Sequence, residues 1–74
     1  MTVTVKLFAS FRTGRFEVKT ADYPAGTTVG DVVDSLTLPR ADVGIILINS
    51  RHAELDRPLA EGDNLALFPL LGGG

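Results

Sequence analysis

The sequence predicts an α+β roll in which a mixed sheet of four to five strands wraps a single helix. Three observations carry this. Apolar and polar residues alternate at a period of two in "TVTVKLF" and again in "RFEVKTA", and the apolar segment "NLALFPLL" follows a turn as the last strand. Between them "PAGTTVGDVVDSLTLP" changes to helical spacing, with Val29, Val32, Val33 and Leu36 on one stripe. At 74 residues the chain has room for one small domain, so that stripe has only the sheet to pack on.

Each element follows in order. In the first strand Val3, Val5 and Leu7 face one way and Thr2, Thr4 and Lys6 the other. "RFEVKTA" repeats the alternation, with Phe16 and Val18 against Glu17 and Lys19, and a short link holding Thr13 and Gly14 makes the pair a hairpin. Thr28 is the candidate N-cap of the helix, and Asp31 stands where the first-turn amides and the helix dipole favour a carboxylate. Gly30 weakens the helix and Pro39 closes its neighbourhood. "VGIILIN" contains a continuous apolar run, residues 45–48, suited to a strand with both faces at least partly covered. The turn-rich "NSRHAELDRPLAEGD" predicts a short edge strand near Ala53 and Glu54 and a single turn over residues 58–60, and Gly62 and Asp63 mark the entry to the last strand.

Composition narrows the function. Apolar residues make up 45% of the chain, which argues for a folded globule over a disordered segment. A net charge of −2 with dispersed Lys and Arg leaves no basic footprint for nucleic acid. There is no cysteine, so disulfides, thiolate metal ligands and side-chain thioesters are excluded. No apolar run approaches the roughly 20 residues of a bilayer-spanning helix, and a cytoplasmic address without membrane partners is the expectation. His52, the one histidine, sits in a polar turn without metal-ligand spacing. Ser10, Ser35 and Ser50 lack a nucleophile elbow, and "GTTVGD" lacks the lysine and serine of a phosphate loop. No bound cofactor, metal or self-contained catalytic centre is expected.

Parity along the last strand points elsewhere. With Leu65 and Leu67 facing the helix, Ala66, Phe68 and Leu70 face away, and Phe8 has the same outward parity after the first strand. If those strands are neighbours, Phe8, Phe68 and Leu70 form an exposed apolar patch of the kind that marks a partner site. The competing expectation is that a bent edge or a loop covers them.

The chain given stops on "FPLLGGG". "ELDRPLAEGDNLALFPLLGGG", together with the opening "VTVKLFASFR" and the helix "GTTVGDVVDSL", resembles the MoaD/ThiS superfamily of ubiquitin-like sulfur carriers. The resemblance covers essentially the whole chain. It implies a ubiquitin-like β-grasp fold over residues 1–71 and a flexible C-terminal glycine tail over residues 72–74. It further implies that an E1-like adenylating enzyme, using ATP and magnesium, activates the carboxylate of Gly74. A sulfur donor protein then replaces the AMP and leaves a thiocarboxylate. Gly72 and Gly73 would thread into the partner as bare backbone, three extended glycines reaching roughly 10 Å. Phe8, Phe68, Pro69, Leu70 and Leu71 would form the partner interface. On this resemblance the chain is a carrier or co-substrate and not itself an enzyme, and its further partner is a synthase large subunit or a thiazole synthase.

The segment "KLFASFR" resembles the molybdopterin-synthase type, serving the molybdenum or tungsten cofactor. Three glycines also end thiamine-type carriers. Open alternatives are therefore a thiamine-type carrier, a ubiquitin-like modifier joined to target lysines, and a non-catalytic β-grasp interaction module.

Overall fold

The alternating segments become strands of one sheet. In the computed structural model, which describes residues 1–70, the strands are β1 (Thr2–Leu7), β2 (Val18–Asp22), β3 (Val43–Ile48), β4 (Arg51–His52) and β5 (Asn64–Pro69). They stand in the order β2-β1-β5-β3-β4. β1 and β5 run parallel, Val5 beside Leu65 and Leu7 beside Leu67, and the other pairings are antiparallel. Two segments nearly sixty residues apart thus sit side by side at the centre of the sheet. With one helix on this mixed sheet, the fold is a ubiquitin-like β-grasp.

The helix α1 (Val29–Ser35) covers one face. It begins in a capping box: the Asp31 N–H donates to Thr28 Oγ1 at 3.2 Å, and the Thr28 N–H donates to Asp31 Oδ2 at 2.9 Å. Two amides that the first turn leaves without partners are satisfied at once. Val29, Val32 and Val33 then bury completely, as do Val3, Leu7, Leu65 and Leu67 from the central strands. Phe11, Leu38, Ile46, Ile48 and Leu59 close the same core. The helix is shorter than its periodic window, because the chain turns at Thr37 with a φ of 56° and brings Leu38 back into the core.

The turn before β5 explains much of "LAEGD". Asp63 is buried and accepts from the Ala60 N–H at 2.8 Å and from Asn49 Nδ2 at 3.0 Å. Gly62, at a φ of 81°, supplies the left-handed residue that lets the chain reverse there. This cluster ties the β3–β4 connection to the start of β5 and is structural.

Four expectations need correction. β1 and β2 do pair, but through a longer connection containing a 3-10 turn, Ala9–Arg12, because Phe11 must reach the core. Phe16 and Val18 do not share an environment: Phe16 packs at the core margin, whereas Val18 opens β2 and is 58% exposed. The edge strand is Arg51–His52 and not Ala53 and Glu54, because Asn49 and Ser50, both at positive φ, reverse the chain in a tight two-residue turn. Residues 58–60 form no helical turn: Pro58 bridges to Thr28 and Leu59 is drawn into the core. In β3, Ile46 and Ile48 are buried while Ile45 is 39% exposed, so only one face of that strand is fully covered.

Candidate docking face and tail exit

The face of the sheet away from α1 has no second layer among the described residues. Side chains at directly paired positions share a face, so the register assigns Lys6 and Val18, Ala66, and Leu47 to this side. Phe8 extends the β1–β5 ladder by one residue, its N–H donating to the Leu67 carbonyl at 3.2 Å, and this sets it beside Phe68. The two rings stack, with centroids 4.2 Å apart and planes 11° from parallel. Ile45 pairs with Phe68 on its other side.

The predicted patch therefore exists, but in a form that combines the two expectations. Phe8 and Phe68 are half-buried, chiefly against each other, and Leu70 is 59% exposed. The stack is worth about 0.5–1.5 kcal/mol beyond its burial. Pro69, predicted for the interface, is buried: it follows Leu65 and Leu67 on the covered side, and its side chain leaves the surface. Leu71, Gly72, Gly73 and Gly74 lie outside the described residues.

Three contributors escaped sequence reasoning. Val18, Ile45 and Leu47 join Phe8 and Phe68 across the sheet through strand pairing alone. The even spacing of Ile45 and Leu47 was a signal, but it has meaning only once β3 is known to lie beside β5.

Charge on this face is positive at its centre. Lys6 is exposed and lines an open concavity of about 430 Å³ with Phe8, Leu47, Asn64, Ala66 and Phe68. The Arg12 guanidinium lies 5.3 Å from the centroid of the Phe8 ring, and its Nε donates to the Leu7 carbonyl at 2.8 Å. Its ion pair with Glu17, at 3.5 Å and solvent-exposed, adds little. The result is a shallow apolar surface carrying the Lys6 and Arg12 cations, suited to a protein partner and too open to enclose a small substrate.

Catalytic parts are sparse. His52 is exposed on the short β4, and no three His, Cys, Asp or Glu side chains among the described residues are grouped to hold a metal. No helix among them is long and apolar enough to cross a membrane.

Known proteins share this arrangement. SAMP1 from Haloferax volcanii is 29% identical over the whole of both chains, with a TM-score of 0.76. A putative molybdopterin converting factor subunit 1 from Pyrococcus furiosus is 26% identical, with 96% of this chain and 99% of that one covered and a TM-score of 0.77. A complex of subunits 1 and 2 of the molybdopterin-converting factor from Helicobacter pylori contains the same fold, at 22% identity, full coverage of both chains and a TM-score of 0.67. None of the curated proteins compared with the chain matches it. The model of the ThiS family matches residues 5–74, from the first strand through the last glycine. The chain belongs to the ThiS family, within the MoaD/ThiS superfamily of ubiquitin-like sulfur carrier proteins.

Proposed function

We propose that this chain carries sulfur as a thiocarboxylate on Gly74 and delivers it in cofactor biosynthesis, with molybdopterin as the product pathway. The observation that carries the reading is the family match running through residue 74, on a fold whose last strand ends beside an uncovered apolar face. Similarity to the Pyrococcus furiosus protein favours the molybdopterin branch.

The chemistry balances in two steps. A carboxylate is a poor electrophile, so an oxygen of Gly74 first attacks the α-phosphorus of ATP on an E1-like enzyme and expels pyrophosphate, with magnesium carried by the nucleotide. Hydrosulfide then attacks the acyl carbon and expels AMP; if a donor protein supplies the sulfur as a persulfide, the acyl disulfide that forms is cleaved by a second thiol, which is oxidised to a disulfide as the thiocarboxylate is released. The chain's own residues dock and present the tail: Phe8, Phe68, Ile45, Leu47 and Leu70 supply apolar contact, and Gly72 and Gly73 supply backbone without side chains. Glycine loses more backbone entropy than any other residue when it is ordered, and contacts of the folded body offset that cost. A synthase large subunit would then receive the sulfur at the same face.

Intact mass after incubation with an activating enzyme, ATP, magnesium and sulfide tests the reading. An ATP-dependent oxygen-to-sulfur gain that fragmentation locates at Gly74, and whose product is then S-alkylated by a thiol alkylator, is expected. Oxidation of Met1 mimics the mass change, so the location decides. No gain under conditions that load another carrier would refute the proposal.

A second reading is favoured by the likeness to SAMP1, a small archaeal modifier protein. There the activated Gly74 carbonyl is joined to a lysine amine of a target protein. Isopeptide adducts on tagged chain in its native lysate, absent when the terminal glycine is removed, would support this reading.

A further inference from the structure

The last described residues are held from two sides. One residue beyond β5, the Leu70 N–H donates to the Asp42 carbonyl at 2.8 Å. Beside it the β3–β5 pairing jumps from Ile45 opposite Phe68 to Val43 opposite Pro69, which leaves Gly44 as the extra residue of a β-bulge. A Cβ on Gly44 would stand 2.8 Å from the Pro69 carbonyl oxygen and 3.0 Å from the Leu70 nitrogen and Cα. These are backbone atoms, which cannot swing aside as a side chain can. Gly44 is not at positive φ, so the position demands glycine for space and not for conformation.

The acceptor on the other side is itself anchored. Asp42 ends a 3-10 turn, Arg40–Asp42. Within that turn Arg40 grips Asp34 of α1 with two hydrogen bonds, Nε to Oδ1 at 3.0 Å and a terminal nitrogen to Oδ2 at 2.9 Å. Helix, turn and bulge thus converge on the Pro69–Leu70 backbone. That is unusual attention for the end of a small domain, where chain termini normally fray.

We infer that Gly44 and the Asp42 carbonyl are positioning groups that set the point and direction from which the terminal glycines leave the sheet. The inference rests on the carrier reading. Residues 71–74 fully extended span at most about 13–14 Å, so the origin of the tail decides whether the Gly74 acyl carbon reaches the reacting atom. A displacement of about 1 Å at a reacting centre can cost on the order of 100-fold in rate. A Cβ at Gly44 presses on Pro69 and Leu70 and touches neither the Phe8–Phe68 stack nor Leu47, so most of the docking face is kept and the change falls chiefly on rate.

The test compares the whole wild-type chain with Gly44→Ala, Arg40→Ala and Thr28→Ala. Amide hydrogen exchange at Leu70 reports the exit, and thiocarboxylate formation on the activating enzyme gives kcat and KM. Gly44→Ala is expected to speed Leu70 exchange while the Leu65 and Leu67 amides keep their protection, and to lower kcat about ten-fold or more with KM within about two-fold. Arg40→Ala, an exposed substitution that frees the turn without entering the core, moves both readouts the same way by less, and it carries the test if Gly44→Ala does not fold. Thr28→Ala removes a helix cap that touches neither Gly44 nor the Leu70 amide and should change neither readout. Faster Leu70 exchange with unchanged kcat overturns the inference, as does an equal loss of kcat in Thr28→Ala. In both cases the wild-type chain still gains sulfur and the carrier reading stands. A wild-type chain that gains none overturns both.

Discussion

The two faces of the sheet are made by the same strands and meet different fates. Along β5, Leu65 and Leu67 are wholly buried under α1, while Ala66 and Phe68, which alternate with them, are only half-covered and Leu70 beyond them is largely exposed. A seven-residue helix can cover one side of a five-stranded sheet and no more. The covered side therefore holds the stability of the domain, and the open side is free to spend its apolar residues on something else. The Phe8–Phe68 stack shows a compromise: each ring shields part of the other, so the surface stays apolar without being loose.

The sharpest way to break this contrast is to delete matched groups on each side. Leu67→Ala removes a fully buried side chain and should cost about 2–5 kcal/mol, read as a lower denaturation midpoint. A domain of this size has only about 3–5 kcal/mol in hand, so this variant should lie close to the limit of folding. Phe68→Ala, one residue further along the strand, should remain folded with a smaller loss and instead weaken binding to the activating enzyme, measured by titration. Equal losses of stability would mean that the open face is part of the core after all.

Smaller effects sharpen the same comparison. Thr28→Ala strips the capping box that starts the covering helix and should cost about 1 kcal/mol in a denaturant melt. A double-mutant cycle on Phe8 and Phe68 should return a coupling of about 0.5–1.5 kcal/mol, and a value near zero would say that the rings are merely adjacent. The smallest effect concerns pH. Hydrogen bonding from Arg40 holds the Asp34 carboxyl below its ordinary value of 3.8. The folded state thus favours the ionised form, so the contribution is present above that ordinary value and is lost as pH falls through the lowered one. In an NMR titration Arg40→Ala should move the Asp34 midpoint back up toward 3.8.

Much of the covered side was legible in the sequence. The stripe of Val29, Val32 and Val33, the Thr28 cap and the inward parity of Leu65 and Leu67 all appear where the spacing predicts. Half of the open side was legible too, since the outward parity of Phe8 and Phe68 is written in their own strands. Their partnership was conditional, because it depended on β1 and β5 being neighbours. The edges were read least well: the segment from Ala9 to Arg12 looked like part of a short link, and the β4 strand was displaced by two residues.

The sequence by itself determined the central elements, β1, α1 and β5, and the inward face of each, because a period of two or 3.6 and a capping residue act on backbone within a few positions of themselves. Only the tertiary structure decided that Val18, Ile45 and Leu47 share a surface with Phe8 and Phe68, and that Gly44 must have no side chain where Pro69 and Leu70 pass. Those facts are consequences of strand order and register, which are set by burying the whole core at once and leave no mark on any one stretch of residues.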